Sequence, residues 1–269
     1  MPLPSPAADR TCVVTGASSG IGAELARQLA ARGHGVTLVA RRADKLREVA
    51  DEIADRGVRV EVVAADVSVE ADRAALLRDV AERGLLVDVL VNNAGVGTSG
   101  PACQADPERE RALVRTNVEA VVDLCTQVLP GMVNRGQGAV LNVASTAAFQ
   151  PLPGQAAYGG SKAFVLSYSE AMRGELRGTG VTVTALCPGP VETGFGQAAG
   201  ISDEEAHALP GFMWVSAADV ARDALDGLDH DRAVVIPGAA NRVGALAARY
   251  APRRLLVPIL ARRHPSLHR

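Results

Sequence analysis

Thr15-Gly16-Ala17-Ser18-Ser19-Gly20-Ile21-Gly22 is the stretch that decides the fold. It follows residues 11–15, a β-branched run typical of a strand, and leads into residues 20–33, whose apolar side chains recur with helical spacing. Glycines at such a junction let the backbone approach a pyrophosphate closely, and free N–H groups at the helix start favour its negative charge. The stretch predicts a dinucleotide-binding turn, with an ordinary glycine-rich connection as the alternative. The residues expected to contact the dinucleotide are Gly16, Ser18, Ser19, Gly20, Ile21 and Gly22.

Short strands and longer helices alternate outward from this turn. Right-handed crossovers between such units build one parallel sheet with helices on both faces, and ligands bind at the carboxyl ends of its strands. We therefore predict an α/β fold, a Rossmann-type doubly wound parallel sheet of about seven strands. The predicted strands are near 11–15, 36–40, 58–64, 87–91, 139–143, 181–186 and 233–236, and the helices near 20–33, 43–57, 70–84, 107–134, 155–178 and 217–228.

Length and composition favour one domain, because 269 residues with 48% hydrophobic content can bury one sizeable core. Residues 1–9 have no basic start followed by an apolar stretch, so we expect a flexible lead and not a signal peptide. A single catalytic domain is expected at 10–238, with a Gly- and Pro-rich lid at 189–215. A basic extension is expected at 239–269.

Charge and cysteine content exclude several classes of function. The net charge of -2 gives no electrostatic footprint for nucleic acid. The four cysteines lie far apart without a CxxC pair, so neither a disulfide framework nor a metal site is expected. No apolar run approaches the roughly 20 residues of a membrane helix. We expect a cytoplasmic protein.

The residues after the second strand choose between nicotinamide cofactors, because an acidic side chain there would repel a 2′-phosphate. Here they are Arg41 and Arg42, which could hold that phosphate and which predict NADP(H). A solvated arginine at a helix start is the alternative. Asp66 and Val67, after the third strand, are placed to meet the adenine, although a surface turn would also suit them. Asn92-Asn93-Ala94-Gly95, after the fourth strand, predicts a backbone platform beside the cofactor or an Asx turn.

Tyr158 and Lys162 lie four residues apart on a predicted helix and therefore share one face. A phenol is a poor proton shuttle near neutral pH, and a neighbouring ammonium favours the phenolate. An amphipathic helix can show this pair by chance, but Lys162 is one of only two lysines in the chain. Ser145, at the end of the fifth strand, can orient a substrate carbonyl or cap a turn.

With these residues in place, the chain resembles the short-chain dehydrogenase/reductase family from about residue 10 to about residue 195. The resemblance implies that Tyr158 exchanges a proton while Ser145 holds the substrate oxygen. It implies that Lys162 binds the nicotinamide ribose and lowers the pKa of Tyr158, and that Asn117 anchors a water in the proton relay. Homodimers or homotetramers are also implied. The motifs that carry the resemblance are Thr15-Gly16 with Gly20 and Gly22, Asp66, Asn92-Asn93-Ala94-Gly95, Asn117, Ser145, Tyr158 with Lys162, and Pro188-Gly189 with Thr193.

By the same resemblance, the segment after the sixth strand borders the nicotinamide through Pro188, Gly189, Val191 and Thr193. Apolar side chains follow the fifth and sixth strands, and Phe149, Phe195 and Trp214 predict a pocket for an apolar carbonyl compound or alcohol. A lid that merely covers its own core would have the same composition. Ser19 stands where many NADP-preferring members of the family carry a basic residue, so NADP preference depends on Arg41 and Arg42.

The last 29 residues, 241–269, are chemically distinct, with seven arginines, two histidines and no acidic residue. They could contact an anionic membrane surface weakly, pack on a partner subunit, or cover the substrate pocket. Pro252, Pro258 and Pro265 interrupt any long helix, which favours packing.

Together these features predict an NADP(H)-dependent oxidoreductase that reduces a ketone or aldehyde, or runs the reverse alcohol oxidation. A protein that binds NADP(H) as a sensor without turnover is the alternative. An epimerase or dehydratase of the extended branch of the family is disfavoured, because its usual Gly-x-x-Gly-x-x-Gly spacing and longer substrate domain are absent from this sequence.

Overall fold

The computed structural model describes residues 3–200, 210–263 and 267. Its centre is a sheet of seven parallel strands in the order β3-β2-β1-β4-β5-β6-β7. This architecture confirms the predicted doubly wound sheet. The strands are β1 (Arg10–Thr15), β2 (Val36–Ala40), β3 (Val60–Ala64), β4 (Leu86–Asn92), β5 (Gly138–Val143), β6 (Val181–Leu186) and β7 (Val234–Val235).

Helices connect the strands and cover both faces of the sheet. The predicted helices begin at or near the expected residues, and most of them end two or three residues earlier than predicted. The α-helices are α1 (Gly20–Ala31), α2 (Ala43–Ala54), α3 (Glu70–Glu82), α4 (Pro107–Val114), α5 (Ala120–Arg135), α6 (Ala156–Glu175), the short α7 (Phe195–Ala198), α8 (Ala217–Asp229), α9 (Ala239–Tyr250) and α10 (Arg253–Arg263).

The core has two halves, one on each face of the sheet. All six residues of β5 and of β6 are buried, as parallel strands covered by helices on both faces require. Alternate residues of β1 enter opposite halves: Val13 packs in one and Val14 in the other. Near the start of the described chain, Pro4 is buried and Leu3 packs against the second half.

The strand order reverses between β1 and β4, which are neighbours in the sheet although α1 to α3 separate them in sequence. A crevice opens at the carboxyl ends of strands at such a switch point, and ligands bind there. Of the polar residues singled out in the sequence, Ser18, Asn93, Ser145 and Thr193 follow β1, β4, β5 and β6. The topology therefore brings them to one edge of the sheet.

The helix predicted at 107–134 is interrupted by one π-helical turn, Arg115–Glu119, between α4 and α5. Single π turns inside α-helices occur mostly at functional sites. Asn117 lies at the centre of this turn and is buried. A helical periodicity in sequence does not distinguish such a turn, which is why the prediction gave one continuous helix.

The segments after β6 and β7 complete the described structure. The predicted lid at 189–215 contains α7 and a 3₁₀ turn, Gly211–Met213, while its residues 201–209 lie outside the described residues. The basic extension forms α9 and α10, which meet at Ala251 and Pro252; Pro258 lies inside α10. Among the residues described here, no helix is long and apolar enough to cross a membrane.

Candidate active site

The glycine turn after β1 is held against the loop after β4 by Thr15 and Asn93. The backbone N–H groups of Asn93 and Ala94 both donate to Thr15 Oγ1 at 3.0 Å. In return, Asn93 Nδ2 donates to the carbonyl oxygen of Thr15 at 2.9 Å. A Cβ atom on Gly22 would lie 2.4 Å from Asn93 Nδ2, so only glycine fits there. The two loops therefore form one rigid floor at the switch point.

The opposite wall of this crevice comes from the segment after β6. A Cβ atom on Gly20 would lie 2.9 Å from Thr193 Cγ2, and Gly20 has a positive φ of 56°. Gly20 thus lets the start of α1 and Thr193 approach each other. The predicted residues Ser18, Ser19 and Ile21 lie on the same turn and at the start of α1.

Arg42 lies directly at the glycine turn. Its Nη2 donates to Ser18 Oγ at 3.1 Å and to Ser19 Oγ at 3.4 Å. Arg41 is exposed, and its Nη1 lies 3.9 Å from Asp66 Oδ2. Adjacent arginines in a sequence do not reveal separate positions, but in the structure Arg42 forms one cluster with two hydroxyls, and Arg41 lies over the loop after β3.

The loop after β3 presents Asp66 and Val67 to the same edge of the sheet. Asp66 Oδ1 accepts hydrogen bonds from the backbone and side chain of Ser68, an Asx turn that fixes the loop. The Val67 side chain is buried, and its carbonyl oxygen accepts from Arg73 Nη1 at 2.8 Å. Arg73 therefore anchors the loop that the sequence assigns to the adenine.

Tyr158 and Lys162 lie one turn apart in the first half of α6, as predicted. Lys162 is buried, and its Nζ donates to the carbonyl oxygen of Val143 at 2.8 Å. The same Nζ lies 5.8 Å from the centre of the Tyr158 ring. Burial lowers the pKa of Lys162 to about 8, a shift that the nearby Cys187 thiol opposes. Burial also raises the pKa of the Tyr158 phenol, and a hydrogen bond with Ser145 partly offsets that rise.

Ser145 lies two residues after β5, at the start of a 3₁₀ turn. Its Oγ accepts from the backbone N–H of Ala147 at 3.1 Å, which caps the 3₁₀ turn Thr146–Phe149. The same hydroxyl lies beside Tyr158 and lowers the pKa of that phenol. The structure shows the cap, one of the two alternatives from the sequence, and the carbonyl-orienting role stays a prediction.

Asn117 joins the π turn to the loop after β4. Its Oδ1 accepts from the backbone N–H of Val96 at 2.9 Å, and its Nδ2 donates to the Val96 carbonyl oxygen at 2.9 Å. Nδ2 also donates to Ser161 Oγ at 3.0 Å, and Ser161 Oγ donates to the Tyr158 carbonyl oxygen at 2.7 Å. Both amide hydrogens are therefore used within the protein, and only Oδ1 keeps a free lone pair for a water.

Gly189 follows Pro188 and packs against Asn241 of α9. A Cβ atom on Gly189 would lie 2.4 Å from Asn241 Oδ1. Asn241 Nδ2 donates to the carbonyl oxygens of Met213 at 2.9 Å and Pro237 at 3.1 Å. The start of α9 therefore fixes the loop after β6 and the 3₁₀ turn of the lid. Val191 pairs with Val215 as an isolated parallel bridge, which closes the base of the lid.

Of the three side chains predicted to line a substrate pocket, Phe195 lies at the site. Its ring centre is 5.6 Å from that of Tyr158, and a Cβ atom on Gly97 would lie 3.1 Å from Phe195 Cζ. Phe149 is buried in the core and is one of its packing residues. Trp214 is half-buried at the end of the 3₁₀ turn of the lid.

Sequence reasoning missed three positioning residues: Ser161, Arg73 and Asn241. Each acts through contacts with residues 28 to 50 positions away in sequence, or with a backbone carbonyl. Such contacts leave no local signal. Thr15 belongs to the glycine-rich stretch 15–22. Its position at the end of β1 could have indicated that it joins the glycine turn to the loop after β4.

The site fits a nicotinamide dinucleotide. The glycine turn, the Arg42 cluster and the Asp66 loop line the half of the crevice beside β1 to β3, and Tyr158 with Lys162 lies beside β5. Between them, a Cβ atom on Gly95 would lie 3.4 Å from both Lys162 Nζ and Asn117 Oδ1. Because Gly95 has no side chain, the buried ammonium of Lys162 remains open toward the crevice.

The model of the short chain dehydrogenase family matches residues 10–203. The chain belongs to the short-chain dehydrogenase/reductase family of oxidoreductases, whose members act on CH–OH and C=O groups with a nicotinamide cofactor. An oxidoreductase of Myxococcus xanthus is 44% identical over 185 residues, which cover 68% of this chain and 73% of that protein. Sulfoacetaldehyde reductase 2 of Chromohalobacter salexigens is 38% identical over 185 residues, 68% of this chain and 73% of that one.

Among solved structures, a short-chain dehydrogenase from Sphingobium yanoikuyae in complex with NADPH is similar, with a TM-score of 0.79 and 36% identity. The match covers 93% of this chain and 95% of that chain. An actinorhodin polyketide ketoreductase with NADPH matches with a TM-score of 0.76 and 32% identity, over 90% of this chain and 98% of that chain. The predicted family and the oxidoreductase class are confirmed.

Proposed function

We propose that this protein is an NADPH-dependent reductase of a ketone or aldehyde with an apolar substituent. The observation that carries the proposal is the cluster formed by Tyr158, Lys162 and Ser145 at the carboxyl end of β5. The phenol lies beside a hydroxyl that can hold a carbonyl oxygen, and a buried ammonium lies one helical turn away. A proton donor, an oxygen-orienting group and a cation are the groups that carbonyl reduction requires.

When bound, the nicotinamide cofactor supplies the hydride to the substrate carbon. The Ser145 hydroxyl donates a hydrogen bond to the substrate oxygen and orients it toward Tyr158. The Tyr158 hydroxyl transfers its proton to that oxygen as negative charge develops there. The Lys162 ammonium stabilises the tyrosinate that remains, because an opposite charge nearby favours the ionised phenol. Asn117 holds the loop at Val96 and leaves Oδ1 as the acceptor for a water that returns a proton from solvent.

We further propose that the protein prefers NADPH to NADH. The cluster of Arg42, Ser18 and Ser19 supports this preference. Arg42 Nη2 donates to the Ser18 and Ser19 hydroxyls at the glycine turn. One guanidinium and two hydroxyl groups that can donate hydrogen bonds therefore lie close together. Such a set suits a phosphate monoester. The similar structures from Sphingobium yanoikuyae and of the actinorhodin ketoreductase hold NADPH.

An apolar substituent on the substrate is supported by Phe195. Its ring is tilted by 46° over Tyr158, so an acyl or aryl group entering the site meets an aromatic face. Two of the similar proteins, sulfoacetaldehyde reductase 2 and the actinorhodin polyketide ketoreductase, are also named for the reduction of carbonyl compounds.

The test is a panel of ketones and aldehydes with NADPH or NADH, followed by cofactor absorbance, on the full chain and on Tyr158→Phe. We expect turnover of members with apolar substituents, and loss of roughly 10³-fold in Tyr158→Phe with NADPH binding retained. Full activity in Tyr158→Phe would contradict the mechanism. NADPH binding without reduction of any member of the panel would favour the sensor. Arg42→Gln should raise KM for NADPH by about tenfold and leave KM for NADH unchanged.

A further inference from the structure

The helices α9 and α10 expose apolar side chains that the fold does not use. Eleven large apolar side chains are exposed in the described part of the chain, and five of them lie on these two helices. Large exposed apolar side chains that are neighbours on a helix favour an interaction surface. The five residues, which we call the C-terminal surface, are Val243, Leu246, Tyr250, Leu255 and Ile259.

The exposed residues of α9 form one stripe. A helix advances by about 100° per residue, so Val243, Leu246 and Tyr250 share one side. Asn241 and Ala245 lie on roughly the opposite side, where they are buried against the domain. The packing of α9 on the protein therefore leaves its outer apolar stripe uncovered. On α10, Leu255 and Ile259 are one turn apart and are likewise exposed.

The charge beside this stripe is entirely positive on these helices. The segment 239–269 has seven arginines and no acidic residue, while the net charge of the whole chain is -2. Arg242, Arg253 and Arg254 are exposed and have no ion pair within the described part of the protein. Arg249 lies near an acidic residue, with its Nη1 at 4.0 Å from Glu170 Oε1 on α6.

We propose that the C-terminal surface and its arginines dock on an anionic lipid surface. Exposed apolar residues flanked by arginines are the features by which an interfacial helix enters the headgroup region. A second copy of the chain is a poorer occupant, because a two-fold contact through this surface would set arginines against arginines. Each of α9 and α10 is shorter than a spanning helix, and Pro252 separates them, so the contact is peripheral.

The docked surface adjoins the lid of the candidate site. Asn241, at the start of α9, donates to the carbonyl oxygen of Met213 in the 3₁₀ turn of the lid. Phe212 in that turn is 75% exposed. An exposed aromatic residue next to the basic surface would add to the apolar contact with lipid. The docking does not depend on turnover, so it can be tested apart from the proposed activity.

The experiment is co-sedimentation of the full chain with vesicles of phosphatidylcholine alone and of phosphatidylcholine mixed equally with phosphatidylglycerol. We expect binding to the anionic vesicles that weakens as salt is raised, and far weaker binding to the neutral vesicles. No binding to anionic vesicles at low salt would overturn the proposal. Equal binding to both kinds of vesicle would overturn it as well.

Variants locate the contact. Arg253→Gln/Arg254→Gln should lower binding to anionic vesicles by about 25-fold, at about fivefold per arginine. Leu246→Gln/Tyr250→Gln should remove the binding that persists at high salt. Arg47→Gln/Arg56→Gln is the matched control, since both arginines are exposed at or after α2 and the charge change is equal.

The control should bind as the unchanged chain does, and thermal unfolding should show that all variants fold. Equal loss in the control would mean that the contact is non-specific and would overturn the proposal. A change of molar mass by light scattering in Leu246→Gln/Tyr250→Gln, with no effect on vesicle binding, would assign the surface to a second copy instead.

Discussion

Arg73 and Lys162 are buried cations in the described part of the chain, and their surroundings differ in one respect: Arg73 is paired with carboxylates and Lys162 is not. Arg73 is 2% exposed and donates to Asp123, to Glu119 at 2.9 Å and to the Val67 carbonyl oxygen. Burial lowers the pKa of Arg73, but its bonds to Asp123 and Glu119 outweigh that effect and raise the pKa. Lys162 is 5% exposed and has one carbonyl acceptor, so burial lowers its pKa to about 8.

This difference in pairing indicates that Arg73 has a structural role, whereas Lys162 is available to interact with a ligand. Removing water from a cation is costly unless carboxylates replace the lost solvation, as they do for Arg73. Lys162 lacks such a partner within the described residues. A pKa that falls from 10.5 to about 8 corresponds to roughly 3 kcal/mol of destabilisation of the charged form. Perturbed groups of this kind cluster at functional sites. We therefore interpret Lys162 as an ammonium kept for cofactor and tyrosinate.

The largest expected effect is on activity in Lys162→Met, which keeps the length of the side chain and removes the charge. Reduction of the best carbonyl substrate should fall by about 10³-fold in kcat/KM, because the tyrosinate loses its stabilising charge. The other lysine of the chain, Lys45, provides the matched control, since it lies on α2 and pairs with Glu48 at 2.8 Å. Lys45→Met should keep full activity. Equal losses of activity in Lys162→Met and Lys45→Met would contradict a specific role of Lys162 at the site.

Arg73→Met should have the next largest effect, on stability. The change leaves Asp123 and Glu119 without their partner and releases the loop at Val67. We expect the free energy of unfolding in denaturant to fall by about 3 kcal/mol. If this variant were instead more stable than the unchanged protein, Arg73 would not be the compensated cation that we describe.

Lys162→Met should raise the stability of the cofactor-free protein at neutral pH by about 1–2 kcal/mol. Removal of an uncompensated buried charge stabilises the fold, while loss of the bond to the Val143 carbonyl oxygen offsets part of the gain. The folded pKa of Lys162 is lowered, so its destabilisation is fully present below about pH 8 and fades as pH rises toward 10.5. The advantage of Lys162→Met should shrink over that range in urea titrations. A constant advantage from pH 7 to pH 10 would show that the charge is not its cause.

The smallest expected effect belongs to Ser161→Ala, which removes the link from Asn117 Nδ2 to the Tyr158 carbonyl oxygen. Loss of this positioning bond should lower kcat by about fivefold with KM for NADPH unchanged. Ser161→Thr keeps the hydroxyl and should restore most of the rate. A change in KM alone would assign Ser161 to cofactor binding and not to the arrangement of α6.

Part of the fold and of the candidate site could be predicted from the sequence, because the signals for that part are local. Strand and helix periodicity is local, so the parallel sheet, the glycine turn after β1 and the Tyr158–Lys162 pair on α6 could be predicted. The π turn at Asn117 could not, because it shares the periodicity of α4 and α5. Arg73 escaped notice because its partners Glu119 and Asp123 are 46 and 50 residues away. The separate positions of Arg41 and Arg42 depend on side-chain direction, which two adjacent arginines do not reveal.

The assignment of Lys162 as an uncompensated buried ammonium is tested most directly by its own titration. The chain has only two lysines, so selective carbon-13 labelling of the lysine ε-carbon gives two signals in an NMR spectrum. We expect one signal to titrate near pH 8 and to vanish in Lys162→Met. The signal of Lys45 should titrate above 10.5, because its bond to Glu48 raises the pKa. If both lysines titrated above pH 10, Lys162 would be a compensated cation like Arg73, and the account would be contradicted.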